Sequence, residues 1–299
     1  MVEFSIFLVS ASLIPMTSLS LLKQLSLNSE LYHDPLASLH WDELNLQDFW
    51  LPPTSLSLAG VPEFDAQEED IKRRLSQYEF VNFVQAGIWL EGLFIERLGK
   101  SLRHTRSLTE YAYQLHEIRE EAGHSLMFLK LMEKSGLHIP THFFQKPWLM
   151  NLIGRHAPID SRLFWLAVMI GEEVPDRMNR YVRTIAAEIN PLIREMCRLH
   201  VIDEARHIGR ARSELEQHLA HASPLTRKLF SAWARRLITQ LTQSFYLPRA
   251  EIYELVGLTP GDQWHARALR NPTRLKFVTQ MMQPTRNLLS RYGLQVSPD

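Results

Sequence analysis

The sequence predicts an all-α fold with a core of four long helices, and three observations lead to this prediction. Four long stretches repeat apolar residues three or four positions apart, which is the spacing of a helix face. Alternation of apolar and polar residues, which is typical of strands, never continues beyond a few positions. Proline and glycine are concentrated between the helical stretches, where they would end one helix before the next begins.

Composition narrows the class of protein. The 299 residues include 33 basic and 33 acidic side chains, so the formal net charge is zero and no nucleic-acid-binding surface is indicated. The single cysteine, Cys197, excludes an internal disulfide and fits a reducing, cytoplasmic compartment. An apolar run at 4–16 has no basic residue before it and is too short to span a membrane. We therefore expect neither a secretory signal nor a membrane anchor, and Met16 is an alternative start.

Residues 1–66 are expected to form an N-terminal arm with little regular structure. One short amphipathic patch occurs at 21–27. Breaks follow at Asp34-Pro35, at Pro52-Pro53 and at Gly60-Val61-Pro62. Because these breaks leave little room for helices, the arm is predicted to lie on the surface of the domain that follows it.

That domain, residues 67–222, begins with two predicted helices. The first spans 67–100 and carries a continuous apolar stripe. The second runs from about 107 to 135, where Gly136 is a typical C-terminal stop.

A crossover separates these helices from the second pair. Residues 136–160 contain three prolines and two glycines, which favour an irregular connection over a helix. The third helix is predicted to start at Asp160 or Ser161, and Pro175 is expected to kink it or distort one turn. The fourth helix starts at Pro191, where proline is tolerated in the first turn, and ends near residue 221.

Residues 223–299 are predicted to form a helical extension that packs on the bundle, so that the chain is a single domain overall. Helical patterns occur at 225–245, 249–255 and 274–292. Thr259-Pro260-Gly261 separates the second pattern from the third.

The pair Glu-x-x-His occurs three times, and two of its occurrences lie inside strong helices. Glu30 and His33 are followed directly by a proline-containing break, so this pair is interpreted as a solvated loop. The other two pairs lie on the second helix, at Glu121 and His124, and on the fourth, at Glu204 and His207. Residues three apart share a helix face, so each pair can present both side chains to one site.

A lone glutamate on each of the remaining helices completes a symmetrical pattern. Glu91 precedes Glu121 by 30 residues, and Glu173 precedes Glu204 by 31. A glutamate from each of two helices and a Glu-x-x-His from each of the other two is the ligand set of a ferritin-like dimetal carboxylate bundle. Glu96 is an alternative to Glu91. Glu172 is an alternative to Glu173, because Pro175 disturbs the helix phase.

The residue types indicate which metal such a site would hold. Carboxylates are hard, anionic ligands that can bridge two cations, and imidazole suits iron, so iron is favoured and manganese is an alternative. Four buried carboxylates would repel one another without metal. Phe94 and Phe128, with Trp89 and Trp165, lie near the ligands at helical spacing and are interpreted as core residues, one or two of which line a substrate cavity.

The segment Asp203-Glu204-Ala205-Arg206-His207 resembles a motif of many ferritin-like diiron enzymes. The resemblance implies that Asp203 accepts a hydrogen bond from the ligating imidazole of the opposite pair, and that Arg206 supports this network. A solvent-exposed side chain is the alternative for Arg206. Glu117 and Glu120 are interpreted as solvated or as neighbours of the ligands.

His200, one turn before Glu204, distinguishes this chain from a six-ligand diiron bundle. With His200, the helical pattern resembles the p-aminobenzoate N-oxygenase family, bacterial diiron arylamine oxygenases of antibiotic biosynthesis that have a third histidine on the metal. Carried over position by position, the resemblance implies seven ligands to two iron ions: Glu91, Glu121, His124, Glu173, His200, Glu204 and His207.

The resemblance also implies a reaction. An O2-dependent N-oxygenase would convert an arylamine to hydroxylamine, nitroso or nitro products through a peroxo-diferric intermediate, with an external electron donor and as a homodimer. The alternatives are a diiron hydroxylase or desaturase of an apolar substrate, and a non-catalytic ferritin-like iron protein. Arg177 is a candidate anchor for a substrate carboxylate, and a surface arginine is the alternative.

Overall fold

A computed structural model describes residues 18–105, 107–140, 144, 146–185 and 189–297. In this part of the chain the regular elements are helices, and the β-type pairing consists of one isolated bridge between Phe49 and Ile189. The all-α prediction is therefore confirmed. The apolar run at 4–16 and the alternative start at Met16 lie outside the described residues.

The α-helices are α1 (Ser18–Ser29), α2 (Pro35–Ser38), α3 (Pro62–Asp65), α4 (Glu69–Leu102), α5 (Leu108–Ser135), α6 (Trp148–His156), α7 (Arg162–Thr184), α8 (Pro191–Ala220), α9 (Pro224–Tyr246), α10 (Ala250–Leu255), α11 (Gly261–Arg270) and α12 (Pro272–Arg291). Short 3-10 turns lie at Trp41–Glu43 and Pro53–Ser55.

The four predicted core helices are α4, α5, α7 and α8. Packing of α4 along α5 and of α7 along α8 gives two helical hairpins, which meet where α5 contacts α8 and α4 contacts α7. Each hairpin is built from a long helix pair joined by a short connection, so both pairs run antiparallel. Their facing sides enclose the polar residues described below.

Local sequence explains where these helices begin and end. Ser107 and Ser161 cap α5 and α7, each accepting a hydrogen bond from a backbone N–H in the first turn. Gly136 ends α5 with φ +60, a left-handed conformation that favours glycine. Pro175 lies inside α7, and α7 continues past it for nine residues to Thr184.

Two helices lie where the sequence predicted irregular connections. The crossover at 136–160 contains α6, and the C-terminal extension contains α11 between two helices that were predicted. Both are short, and Pro147 and Pro260 stand at their N-caps. A proline before a short helix gives the same sequence signal as a loop, so pattern analysis did not separate the two.

The N-terminal arm is more helical and more deeply buried than predicted. The patch at 21–27 is part of α1, which packs against α5 and α8. Further along, Trp50, Leu58 and Phe64 are almost completely buried in the main core. The second half of the arm therefore belongs to the core and does not lie on its surface.

The C-terminal extension packs against the second helical hairpin. Helix α9 contacts α7 and α4, and α12 contacts α7. The Tyr246 hydroxyl donates a hydrogen bond to the carbonyl oxygen of Val174, next to the internal proline of α7. Within the described residues, no helix is long and apolar enough to cross a membrane.

Asn190 joins the arm to the helix that supplies three of the candidate ligands. Its side-chain oxygen accepts hydrogen bonds from the N–H groups of Leu192 and Ile193, and its amide nitrogen donates to Glu43 O and Asp48 Oδ2, both at 2.9 Å. Asn190→Ala removes these bonds from a fully buried site. We expect it to lower the free energy of unfolding by about 2 kcal/mol, measured by equilibrium urea denaturation.

The matched control is Ser223→Ala, which removes the cap of α9 at an exposed position. That variant is expected to lose about 1 kcal/mol or less. Equal losses for the two variants would show that the contacts between Asn190 and the arm do not stabilise the fold.

Candidate metal centre

Seven ionisable side chains from all four core helices meet in the interior of the bundle, and each is 5% exposed or less. They form two groups in which the possible ligand atoms lie within 4.8 Å of one another. The first group is Glu91, His124 and His200, and the second is Glu121, Glu172, Glu204 and His207. Helix α4 supplies one of these residues, α5 two, α7 one and α8 three.

Two glutamates of the second group also face the first group. Glu204 Oε1 is 3.4 Å from His124 Nδ1, and Glu204 Oε2 is 3.2 Å from His207 Nδ1. Glu121 has the same relation, with Oε2 4.0 Å from His124 Nδ1 and Oε1 3.1 Å from His207 Nδ1. Each of the two carboxylates therefore faces both groups, as a bridging ligand of a dimetal site must.

Each Glu-x-x-His histidine is held by a carboxylate from the opposite helix. His124 Nε2 is 3.1 Å from Asp203 Oδ2 on α8, and His207 Nε2 is 3.0 Å from Glu120 Oε2 on α5. Arg206 contacts both carboxylates, at 2.5 Å from Asp203 Oδ1 and 2.8 Å from Glu120 Oε1. Asp203 and Glu120, which we call the outer acids, bind Nε2 of the two rings and so fix the ring orientation, with Nδ1 facing the site.

Glu120 was not assigned a definite role in the sequence analysis, although a signal for it is present. It stands directly before Glu121, as Asp203 stands directly before Glu204. The chain therefore contains two acidic pairs, each followed by x-x-His, and each outer acid binds the histidine of the other pair. Comparing the two motifs position by position would have found it.

The structure corrects the residue expected from α7: Glu172 lies in the cluster and Glu173 does not. Glu173 points to the other side of the helix, where Arg177 and Arg212 pair with its carboxylate and Thr285 Oγ1 donates a hydrogen bond to it at 2.9 Å. Burial alone would raise the pKa of Glu173, but the two guanidinium groups hold it below its ordinary value. Arg177 is thereby engaged by Glu173 and Thr285 and is not placed as a substrate anchor.

Burial and contacts also distinguish the two glutamates of α4, Glu91 and Glu96, that the sequence offered as ligands. Glu91 is buried, and its Oε2 accepts a hydrogen bond of 2.6 Å from Ser125 Oγ, while Oε1 faces His124 and His200. Glu96 is more than one-third exposed and pairs with Lys100 at 2.5 Å. Glu91 is therefore the residue that the structure brings to the cluster.

Burial and mutual repulsion redistribute protons within the cluster. Burial and the charge of Glu204 raise the pKa of Glu121 to about 8, and the same causes raise that of Glu172 well above its ordinary value. Burial disfavours a charged imidazole, yet the bond to Asp203 and the charge of Glu204 raise the pKa of His124 to about 9. Carboxylates likewise raise the pKa of His207. Without metal, the site therefore retains protons at neutral pH.

The donor set fits two metal ions. Among the described side chains, the buried atoms Glu121 Oε2 and His124 Nδ1 have no hydrogen-bond partner, although both face the cluster. A buried polar atom without a partner is costly, and coordination would satisfy it. Four carboxylates balance the charge of two divalent cations, and a donor set of oxygen and imidazole nitrogen suits iron or manganese.

A small cavity of about 10 Å³ lies beside the cluster. Five of the candidate ligands line this cavity. Four phenylalanines line it as well: Phe83, Phe94, Phe128 and Phe245. Two of these had been singled out from the sequence. Trp89 instead packs against Phe144, and Trp165 lies 5.2 Å from the Arg210 guanidinium, so both tryptophans serve the surrounding structure.

The fold and the buried ligand groups define a carboxylate-type dimetal helix bundle. Comparison with known proteins places the chain more narrowly. It belongs to the family described as p-aminobenzoate N-oxygenase AurF, whose family model matches residues 17–293.

Similar curated proteins are found in mycobacteria. The uncharacterized protein Rv0885 of Mycobacterium tuberculosis (strain ATCC 25618 / H37Rv) is 24% identical over 246 residues, which cover 82% of this chain and 72% of the relative. The uncharacterized protein Mb0909 of Mycobacterium bovis shows the same identity and coverage. Family membership is therefore shown by the match to the family model. The names of these relatives do not describe a reaction.

Opposite effects are expected from substituting the two adjacent glutamates of α7. Glu173→Gln weakens a buried ion-pair network, so the free energy of unfolding should fall by about 3 kcal/mol while two metal ions still bind. Glu172→Gln replaces a buried carboxyl group, whose ionisation is disfavoured by burial and by Glu204, with a neutral side chain of the same shape. The metal-free protein should therefore be about as stable as the wild type, while metal binds about a hundredfold more weakly or worse.

Urea denaturation of the metal-free proteins and titration with Fe²⁺ under anaerobic conditions measure these two properties separately. The assignment of Glu172 would be wrong if Glu173→Gln lost metal and Glu172→Gln kept it.

Metal loading is expected to release protons and to tighten as pH rises. Glu121, Glu172, His124 and His207 hold protons near pH 7 in the metal-free protein but must lose them to coordinate. Raising the pH from 6 to 9 removes this competition, so the apparent affinity should increase across that interval. Calorimetric titration with Mn²⁺ in buffers of different ionisation enthalpy should show release of at least about two protons. A proton release near zero would contradict the raised pKa values.

Proposed function

We propose that this chain is a non-haem diiron oxygenase that uses O2 and an external electron donor to oxidise the amino group of an aromatic amine. The observation that carries the proposal is the third histidine: His200 lies in the same ligand group as Glu91 and His124, inside a chain of the N-oxygenase family. A bundle that only stores iron has no evident need for an added imidazole beside a complete carboxylate set.

The two ligand groups described above would hold the two iron ions. When bound, the iron pair supplies O2 activation and the electrons that reduce O2. Asp203 and Glu120 hold the protons on Nε2 of His124 and His207, so that both rings present Nδ1. Arg206 compensates the charge of the two outer acids. The phenylalanines of the cavity lining would keep bulk water away from the ligand groups.

The cavity lining supports a flat, uncharged substrate. Apart from the candidate ligands its walls are apolar and include four phenylalanines, and no lysine or arginine is among the described residues that form it. A buried substrate carboxylate would need a cationic partner, and Arg177 is already engaged by Glu173. Since the cavity has room for about one water molecule, a substrate must displace phenylalanine side chains to enter. The same apolar lining favours, as a second candidate, hydroxylation of an apolar compound.

The test starts from iron analysis of the purified protein and continues with aerobic turnover in the presence of a chemical reductant. Aniline, 4-methylaniline and 4-aminobenzoate are compared, and products are identified by mass. We expect two irons per chain and conversion of the uncharged amines to hydroxylamine, nitroso or nitro products, at least about tenfold faster than 4-aminobenzoate. Two irons without amine turnover would leave the metal centre standing and reject N-oxygenation. Hydroxylation at carbon would favour the second candidate.

His200→Ala tests the observation on which the proposal depends. Because six other ligand side chains remain, this variant should still bind iron, with N-oxygenation reduced at least about tenfold. His218→Ala, on the same helix but half-buried at its end, is the matched control and should behave as the wild type. Full N-oxygenation with two irons in His200→Ala would remove the basis for choosing this function.

A further inference from the structure

The three histidines of the centre are not held alike. His124 and His207 point Nδ1 into the cluster and bond through Nε2 to a carboxylate. His200 is reversed: Nε2 lies 3.4 Å from Glu91 Oε1 and 3.6 Å from Glu204 Oε1, and so faces the cluster. Its Nδ1 faces outward and lies 3.0 Å from the side-chain amide of Asn179. The third histidine thus has a neutral partner where the other two have acids.

Two polar contacts set the in-plane orientation of the His200 ring: the longer contact of Nε2 with Glu91 inside the cluster, and the shorter one of Nδ1 with the Asn179 amide outside it. The His124 ring lies against the His200 ring with centroids 4.3 Å apart, and the Phe128 ring stacks on the His200 ring at 5.5 Å and 26°. Such ring contacts fix the plane but do not distinguish one ring nitrogen from the other. The hydrogen bond from Asn179 does distinguish them, because it is directed at Nδ1. Asn179 is itself 2% exposed and lies on α7, two turns after Glu172.

We propose that Asn179 is the positioning residue of His200 and that its amide serves two states of the site. Without metal, the amide nitrogen donates to Nδ1, and Nε2 carries the ring proton toward Glu91. With metal on Nε2, the ring proton must move to Nδ1, which then needs an acceptor. Rotation of the amide by 180° exchanges its nitrogen for its oxygen in the same place, so asparagine can accept as well as donate.

Aspartate or leucine at position 179 could not both donate a hydrogen bond to His200 Nδ1 and accept one from it. An ionised aspartate accepts but does not donate, and leucine of similar size does neither. A carboxylate partner makes an imidazole a stronger donor to metal, whereas an amide does not. His200 is therefore fixed in place by a partner that leaves it the weakest nitrogen donor of the three. This inference rests on the proposed metal centre but not on the reaction assigned to it.

Metal titration tests the inference without any substrate. Metal-free wild type and the variants Asn179→Leu and Asn179→Asp are titrated with Co²⁺, whose visible absorption reports stoichiometry and coordination. In Asn179→Leu we expect one of the two ions to bind 10- to 100-fold more weakly. Asn179→Asp, which can still accept from Nδ1–H, should bind within about threefold of the wild type or more tightly. The proposal would be overturned if both variants bound Co²⁺ as tightly as the wild type. It would also be overturned if both variants lost Co²⁺ affinity to the same extent.

The control is Asn82→Leu, which removes a second buried amide. Asn82 lies on α4 and donates to the carbonyl oxygens of Ser244 and Phe245 at 3.0 and 3.2 Å. Its substitution should lower thermal stability while leaving both Co²⁺ sites unchanged. A loss of Co²⁺ binding as large as that of Asn179→Leu would mean that both variants act through general packing, and would overturn a specific role for Asn179.

Nitrogen-15 NMR of the wild-type protein gives a second measurement that does not depend on a variant folding. With ¹⁵N-labelled histidine, the His200 ring should carry its proton on Nε2 in the metal-free protein and on Nδ1 after loading with Zn²⁺. The resonances are assigned by their absence in His200→Ala. A proton that stays on Nε2 after Zn²⁺ is bound would overturn the proposal.

Discussion

The rest of the structure depends on how the charge of four buried carboxylates is balanced. Glu91, Glu121, Glu172 and Glu204 lie together in the bundle interior, where ionised groups are stable only when paired or coordinated. In the metal-free protein, imidazolium groups and retained protons supply that balance, which explains the raised pKa values of Glu121 and His124. Two divalent ions carry a total charge equal and opposite to that of the four carboxylates. Binding of two such ions would therefore replace the protons that the cluster otherwise retains.

An outer layer of hydrogen bonds gives this cluster its geometry. Asp203 and Glu120 each cross from one helix to the histidine of another, and Arg206 contacts both acids. These bonds join α5 to α8, so that the two Glu-x-x-His motifs are held by each other and not only by their own helices. Asn179 extends the same principle to α7 and to the third histidine.

Much of the fold and six of the seven cluster residues follow from sequence pattern, because long amphipathic helices and i, i+3 pairs give strong periodic signals. The remaining residue depended on the phase of α7, where adjacent residues differ in direction by about 100°. The sequence did not fix that phase, because a proline such as Pro175 inside a helix is expected to distort it. A local signal did exist: Arg177 lies four residues after Glu173, the spacing of a helical ion pair. Its partner Arg212 and the hydrogen bond from Thr285 come from distant parts of the chain, so spacing alone did not reveal them.

Two C-terminal helices, α9 and α12, are attached to the turn of α7 that carries the candidate ligand Glu172. Glu173 receives a hydrogen bond from Thr285 of α12, and the Val174 carbonyl receives one from Tyr246 of α9. Glu172, the residue before Glu173, points in a different direction from the same turn and enters the cluster. All the candidate ligands lie on four helices, yet one wall of their site is supported from outside those helices. The four-helix bundle alone is therefore not the unit that holds the site in this shape, and the C-terminal helices belong to that unit as well.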